Sequence, residues 1–366
     1  MSNKRTSYLK CSKCNKEYSS TILPPQVHEL WMKCDCGGTI VRINNYKEKN
    51  FSIKELLKMD TERISHKSDC LGCCFIKLFL YYGKTGFERL YSKPLSVKSE
   101  ANCVDENGLY NIQNSTKIEY PNYINLLKKV FNVDVHTYEH CTFDIIAMNI
   151  NDKIPVIVVA PGNLLKWVGR GSNEGHAFVV VGYDLENGLY TCVDPYFSSK
   201  HTFLSIEMLE YSNYGAFTCD FTNFSESHCE DNLFSELYHH YEMVYKSPAS
   251  VEFQRINIAI KHNEPYISQY NHFYYALSAK IHLALSGRFA CLSSYYQYLF
   301  EKYNIRWLLR ISEIYQACFT LARKGFFLFL KYNFSNNPRD KIKYLNTVYL
   351  YEASEKEVEN ILLGNK

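Results

Sequence analysis

Three cysteines crowd the stretch SHKSDCLGCCFIKLFLYYG, Ser65 to Gly83, and one of them is placed to act as a nucleophile. Ser68 and Asp69 are helix-capping residue types. Behind them Leu71, Phe75, Leu78, Phe79 and Tyr82 keep helical spacing until Gly83 stops the run. This puts Cys70 in the first turn, where free backbone N–H groups and the helix dipole stabilise a thiolate. Cys73 and Cys74 lie one turn deeper, gain less from the helix end, and read as packing residues.

A nucleophilic cysteine needs a base. The segment EGHAFVVVGYDLENGLYTCVDPY, Glu174 to Tyr196, supplies one. HAFVVVGYD is β-branched and alternating, so it predicts a strand. ENG (Glu186 to Gly188) predicts a tight hairpin turn, and LYTCVDP returns as the neighbouring strand. Such a hairpin brings both outer ends to one edge of the sheet, so His176 and Asp194 become neighbours, as a base and its orienting carboxylate must be. A buried Cys, His or Asp taken alone is ordinarily structural. The three in this order predict a catalytic site of Cys70, His176 and Asp194. Glu174, His201 and Asp184 are rivals, and Asp184 fails because it falls at the turn end of the hairpin.

A Cys at the mouth of a helix ending in YYG, followed by GHAFVVVGYD and VDPY, resembles the papain-like fold of the double-glycine leader peptidases. The chain is more similar still to their relatives typified by butirosin biosynthesis protein H, in which a helical region follows the peptidase-like core. GRFACLSSYYQYLFEKYN (Gly287 to Asn304), IPVIVV before the His loop and FLSIEMLE after the Asp strand also fit. The resemblance spans roughly Asp60 to Lys331. It implies a papain-like core and an acyl transfer that forms an amide. The acyl group would come from an acyl or peptidyl carrier protein thioester, pass through an acyl-Cys70 intermediate, and go to a small amine in natural-product biosynthesis.

One departure matters. The leader peptidases carry a Gln shortly before the nucleophile, which helps bind the oxyanion, and no Gln stands in Thr61 to Asp69. His66, Lys67 or Ser68 would have to substitute, beside the Cys70 N–H. Thioester chemistry makes fewer demands here, because a thiolate leaves more readily than an amine. Two alternatives stay open: a cysteine peptidase or amidase, and a catalytically inactive peptide- or carrier-binding module. GRGSNEG, Gly169 to Gly175, reads either as a gating loop with Trp167 as a lid residue or as plain surface loop.

The elements that must position these residues fall into three zones of an α+β chain. Met1 to about Glu48 carries CSKC (Cys11, Cys14) and CDCGG (Cys34, Cys36), the spacing of a structural Zn2+ ribbon with four thiolates and no open position. About Lys49 to Tyr214 starts helical and becomes β-rich, forming the core of one N-terminal helix plus antiparallel sheet. Gly215 to Lys366 reads as successive amphipathic helices over Tyr274–Leu285, Cys291–Tyr303, Ile305–Tyr332 and Lys341–Leu363. Its aromatic stripes, such as SSYYQYLF, read as packed core. Cys103, Cys141, Cys192, Cys219, Cys229, Cys291 and Cys318 show no ligand spacing.

The formal net charge is +3 over 366 residues and the basic residues form no stripe, so charge does not call for nucleic acid. No segment has the roughly 20 apolar residues of a membrane span. With no export signal visible, and four of the 14 cysteines in metal-type spacing, the expected compartment is the reducing cytoplasm.

Overall fold

The computed structural model describes residues 7–11, 13, 17–20, 36, 40–43, 50–59, 68–92, 96–99, 116–119, 122–168, 175–197, 201–225, 237, 271–335 and 337–364. The N-terminal zone holds β1 (Ser7–Cys11), β2 (Glu17–Ser20) and β3 (Ile40–Ile43), an antiparallel sheet in the order β2-β1-β3. Cys11 pairs with Ile40, so the end of β1 lies beside the start of β3, four residues past Cys36. Cys36 is half-buried. Cys14, Cys34 and the side chain of Cys11 lie outside the described residues.

The central zone continues with β4 (Asn50–Ser52), α1 (Lys54–Lys58), α2 (Cys70–Tyr81), the two-stranded pair β5 (Ser96–Ser99) and β6 (Thr116–Glu119), and α3 (Tyr123–Phe131). Then come β7 (Asp134–Tyr138), α4 (Phe143–Asn151), β8 (Val156–Pro161), β9 (Gly175–Asp184), β10 (Leu189–Val193), β11 (Thr202–Ser205), α5 (Ile206–Ser212) and β12 (Gly215–Asp220). Seven of these strands form one antiparallel sheet in the order β11-β10-β9-β8-β12-β7, with β4 pairing β9 beyond the reach of β8. β9 is the long central strand, and Ala177 to Tyr183 are buried without a break. Unbroken burial along a strand means that both faces are covered. α2 and α4 both pack on it.

The capping chemistry of α2 follows the sequence closely. Asp69 accepts the Gly72 N–H through its side chain at 2.9 Å. At the other end Lys84 N–H donates to Phe79 O and Gly83 N–H to Leu80 O, with Gly83 at φ 62°. This is the two-bond arrangement that closes a helix on a left-handed glycine.

The helical zone differs from expectation in three ways. The sheet does not end at Tyr214: β12 lies between β8 and β7, so the core runs past the expected boundary at 214/215. α6 (Asn271–Tyr303) is one helix where two were expected, and it passes straight through Gly287. Leu285, Phe289, Leu292, Tyr296 and Leu299 make one buried stripe at helical spacing, packed mainly on the next helix. That burial outweighs the ~1 kcal/mol a glycine costs inside a helix. The following helices are α7 (Arg306–Ser335) and α8 (Pro338–Gly364). α8 begins three residues before the expected Lys341, because Pro338 takes the first helical position and Asn337 caps the Arg339 N–H. Tyr295, Tyr296, Tyr315 and Tyr351 are buried, so the aromatic stripe is core. Among the described residues no helix is long and apolar enough to cross a membrane.

Candidate active site

Cys70 is half-buried at the first position of α2. Its backbone N–H has no partner within the helix, as for any first-turn amide. Ala177 N–H of β9 points at the Cys70 sulfur, 3.5 Å away. Cys73 and Cys74 are fully buried. Burial pushes both thiols well above their ordinary range, and for Cys74 the negative charge of nearby Asp194 adds to this. Of the three clustered cysteines, Cys70 is the one with a reactive environment.

His176 lies at the start of β9 and Asp194 just beyond β10, and their side chains meet: Nε2 of His176 is 2.6 Å from Oδ2 of Asp194. The hairpin turn alone would not achieve this. With Leu189 opposite Asp184, a regular ladder would set Asp194 opposite Val179, on the face away from His176. A bulge intervenes. Thr191 faces Gly182 but Cys192 faces Val180, so Val181 is an extra residue in β9. Carrying that register one step past Val193–Val179 sets Asp194 opposite Phe178, on the same face as His176.

Asp194 is fully buried and collects donors on both oxygens. Oδ1 accepts the N–H groups of Tyr196 at 3.0 Å and Phe197 at 3.3 Å. Oδ2 accepts the indole N–H of Trp167 at 2.8 Å as well as meeting His176. These bonds fix the carboxylate, and the carboxylate fixes the ring, leaving Nδ1 of His176 to face Cys70. Burial opposes a charged imidazole. The hydrogen bonds to Asp194 and Cys70, with the charges of both, outweigh it and push His176 up to about 10. His176 is therefore an imidazolium at neutral pH. The ring of Phe197 lies 5.4 Å from it, and Tyr196 lies at 6.1 Å.

The structure thus brings Cys70, His176 and Asp194 together and leaves the rivals apart. Asp184 accepts the side-chain amide of Asn187 and caps the Asn187 and Glu186 N–H groups at the turn, and those bonds hold its carboxyl below the usual range. His201 is exposed and meets the Phe203 ring edge-on. Glu174, and the loop Gly169 to Glu174 with it, lies outside the described residues. Trp167 is not a lid: its indole is bonded to Asp194 and its ring meets Phe178 edge-on. The sequence holds no local signal for that role, because it rests on a contact 27 positions away. Ser68 is fully buried and bonded to Tyr123, so it is turned away from the oxyanion role. His66 and Lys67 lie outside the described residues.

The class these features define is a cysteine-peptidase-like α+β core. Comparison with known families agrees: the model of the Peptidase_C39 like family matches residues 101–220. The match takes in His176 and Asp194 and begins beyond Cys70. It gives the chain a papain-like, C39-peptidase-like relationship over about a third of its length. No curated protein matches the chain.

Proposed function

We propose that the protein is a cysteine-nucleophile acyltransferase that forms an amide, taking its acyl group from a carrier-protein thioester and passing it to a small amine. In this reading the Cys70 sulfur attacks the thioester carbonyl, with its own proton already on His176. The tetrahedral intermediate collapses to acyl-Cys70, and the carrier thiolate leaves with the proton from His176. The amine then attacks acyl-Cys70, and the neutral imidazole takes the amine proton. The amide forms, and the Cys70 sulfur departs as the thiolate opposite imidazolium. The Cys70 N–H, free at the helix start, is one donor for the oxyanion. Asp194 and Trp167 hold His176 in position throughout.

The observation that carries the transfer reading is the placement of the helical zone. α6 reaches the start of the nucleophile helix, where Cys291 Sγ donates to Ser68 Oγ at 3.5 Å. That contact lies behind the nucleophile and anchors a helical layer to this end of the core; such a layer supports the exclusion of water that a transferase needs and a hydrolase does not. The family match favours a second reading, hydrolysis of a peptide or amide by the same three residues. For the N-terminal zone we propose a structural zinc on Cys11, Cys14, Cys34 and Cys36. The pairing of Cys11 with Ile40 supports this by setting the end of β1, at Cys11, beside the start of β3, four residues past Cys36.

The deciding experiment incubates the protein with acyl-carrier thioesters, with and without an amine. Acyl-Cys70 adduct and amide product are expected, both lost in Cys70→Ala. Free acid at the same rate with and without amine would replace the transferase with the hydrolase, and an unchanged adduct on Cys70→Ala would remove the nucleophile assignment.

A further inference from the structure

A buried polar chain lies directly behind the nucleophile and takes no part in the reaction just described. Ser68, Asp69 and Tyr123 are 0%, 6% and 2% exposed. Asp69 Oδ1 accepts the Gly72 N–H at 2.9 Å. Its other oxygen is 2.5 Å from the Tyr123 phenol, which is 3.1 Å from Ser68 Oγ. Cys291 of α6 closes the chain on Ser68. There is no slack in it: a Cβ added at Gly72 would overlap Ser68 Oγ and lie 2.5 Å from the Tyr123 oxygen.

We propose that Asp69, Tyr123 and Ser68 form a positioning unit that fixes the first turn of α2, with Asp69 acting as an uncharged cap. The inference rests on Cys70 being the nucleophile. An ionised carboxylate at a helix start favours the helix but opposes a thiolate on the next residue. A neutral acid avoids that conflict. Its carbonyl oxygen caps Gly72, its O–H donates to the phenol oxygen, and the phenol O–H donates to Ser68. Among the described residues the titratable neighbours of Asp69 are Tyr123 from α3, Cys70, Cys73 and Cys74 from α2 and Cys291 from α6, and none of these is a cation. Burial pushes the Asp69 carboxyl above its ordinary range even against the hydrogen bonds it accepts.

The test is the pH profile of Cys70 alkylation by iodoacetamide in the full chain, read by peptide mass. Asp69→Asn keeps the cap and the donor to Tyr123 without charge, so it should hold the wild-type rate within about twofold and leave the profile in place. Asp69→Ala and Tyr123→Phe should slow alkylation by about fivefold or more, at unchanged helix content by circular dichroism. A displaced profile in Asp69→Asn, in either direction, overturns the uncharged cap. A wild-type rate in Tyr123→Phe overturns the positioning unit even if Asp69→Ala does not fold. Both of these outcomes leave Cys70 labelled and the nucleophile reading intact. Absence of Cys70 labelling in the wild type overturns the two together.

Discussion

Trp167 and His176 bond to the same atom: indole Nε1 and imidazole Nε2 lie 2.8 and 2.6 Å from Oδ2 of Asp194. One oxygen thus holds the base by its back edge, and the indole keeps that oxygen from turning away. The orientation of the base thus depends on a residue whose hydrogen bond goes to the carboxylate.

Trp167→Phe preserves a ring to meet Phe178 and removes only the donor. Losing a hydrogen bond to a charged group costs about 1.5–3 kcal/mol. A fall in acylation rate of about tenfold or more is expected, at an unchanged circular dichroism spectrum. Stopped-flow acylation by an acyl thioester checks it, and a wild-type rate would make the indole bond incidental.

His176 carries a pH dependence of stability with a definite sign. Its pKa in the folded protein is pushed up to about 10, above the ordinary value near 6.5. The contribution is therefore complete below about pH 6.5 and is lost as pH rises towards about 10. Thermal melts of the wild type and His176→Gln should show their largest gap near pH 6, closing by about pH 10. A constant gap across that range would contradict the charged imidazole.

Gly72→Ala tests the tightness of the packing behind the nucleophile. In an open helix this change would gain up to about 1 kcal/mol. Here the new methyl overlaps Ser68 Oγ and crowds Tyr123. Overpacking of a filled site costs about 1–3 kcal/mol, so a net loss of stability is expected. A melting temperature equal to or above wild type would show that the site can give.

The zinc proposal predicts about one zinc per purified chain, reduced by Cys34→Ser or Cys36→Ser. Metal analysis by mass spectrometry checks it. Cys70 alkylation should be unchanged in both variants, because the cysteine pairs are structural in this reading. Protein purified without zinc would leave the N-terminal sheet standing on some other support.

How far the sequence carried depends on the range of each interaction. Asp69, Cys70 and Gly83 announce α2 because caps and left-handed glycines act within four residues. Asn187 and Gly188 announce the β9–β10 hairpin for the same reason. The gap expected between Leu285 and Cys291 holds a glycine, Gly287, that costs stability locally, and only the packing of α6 on α7 shows one helix passing through it. Gly215 likewise reads as the start of a new zone, yet it opens β12, whose place in the sheet is set by pairing with Val159 and neighbours far back in the chain.

The sequence by itself determined which residue types sit at the helix start and at the outer ends of the hairpin, since those are short-range properties of caps and turns. The tertiary structure alone decided that Asp194 shares a face with His176, because one extra residue, Val181, shifts the register of the ladder. It alone brought Trp167 to Asp194 and Tyr123 to Asp69, 27 and 54 positions apart. Buried carboxyls take their partners from whatever side chains the packing presents, and no local pattern in the chain encodes that choice.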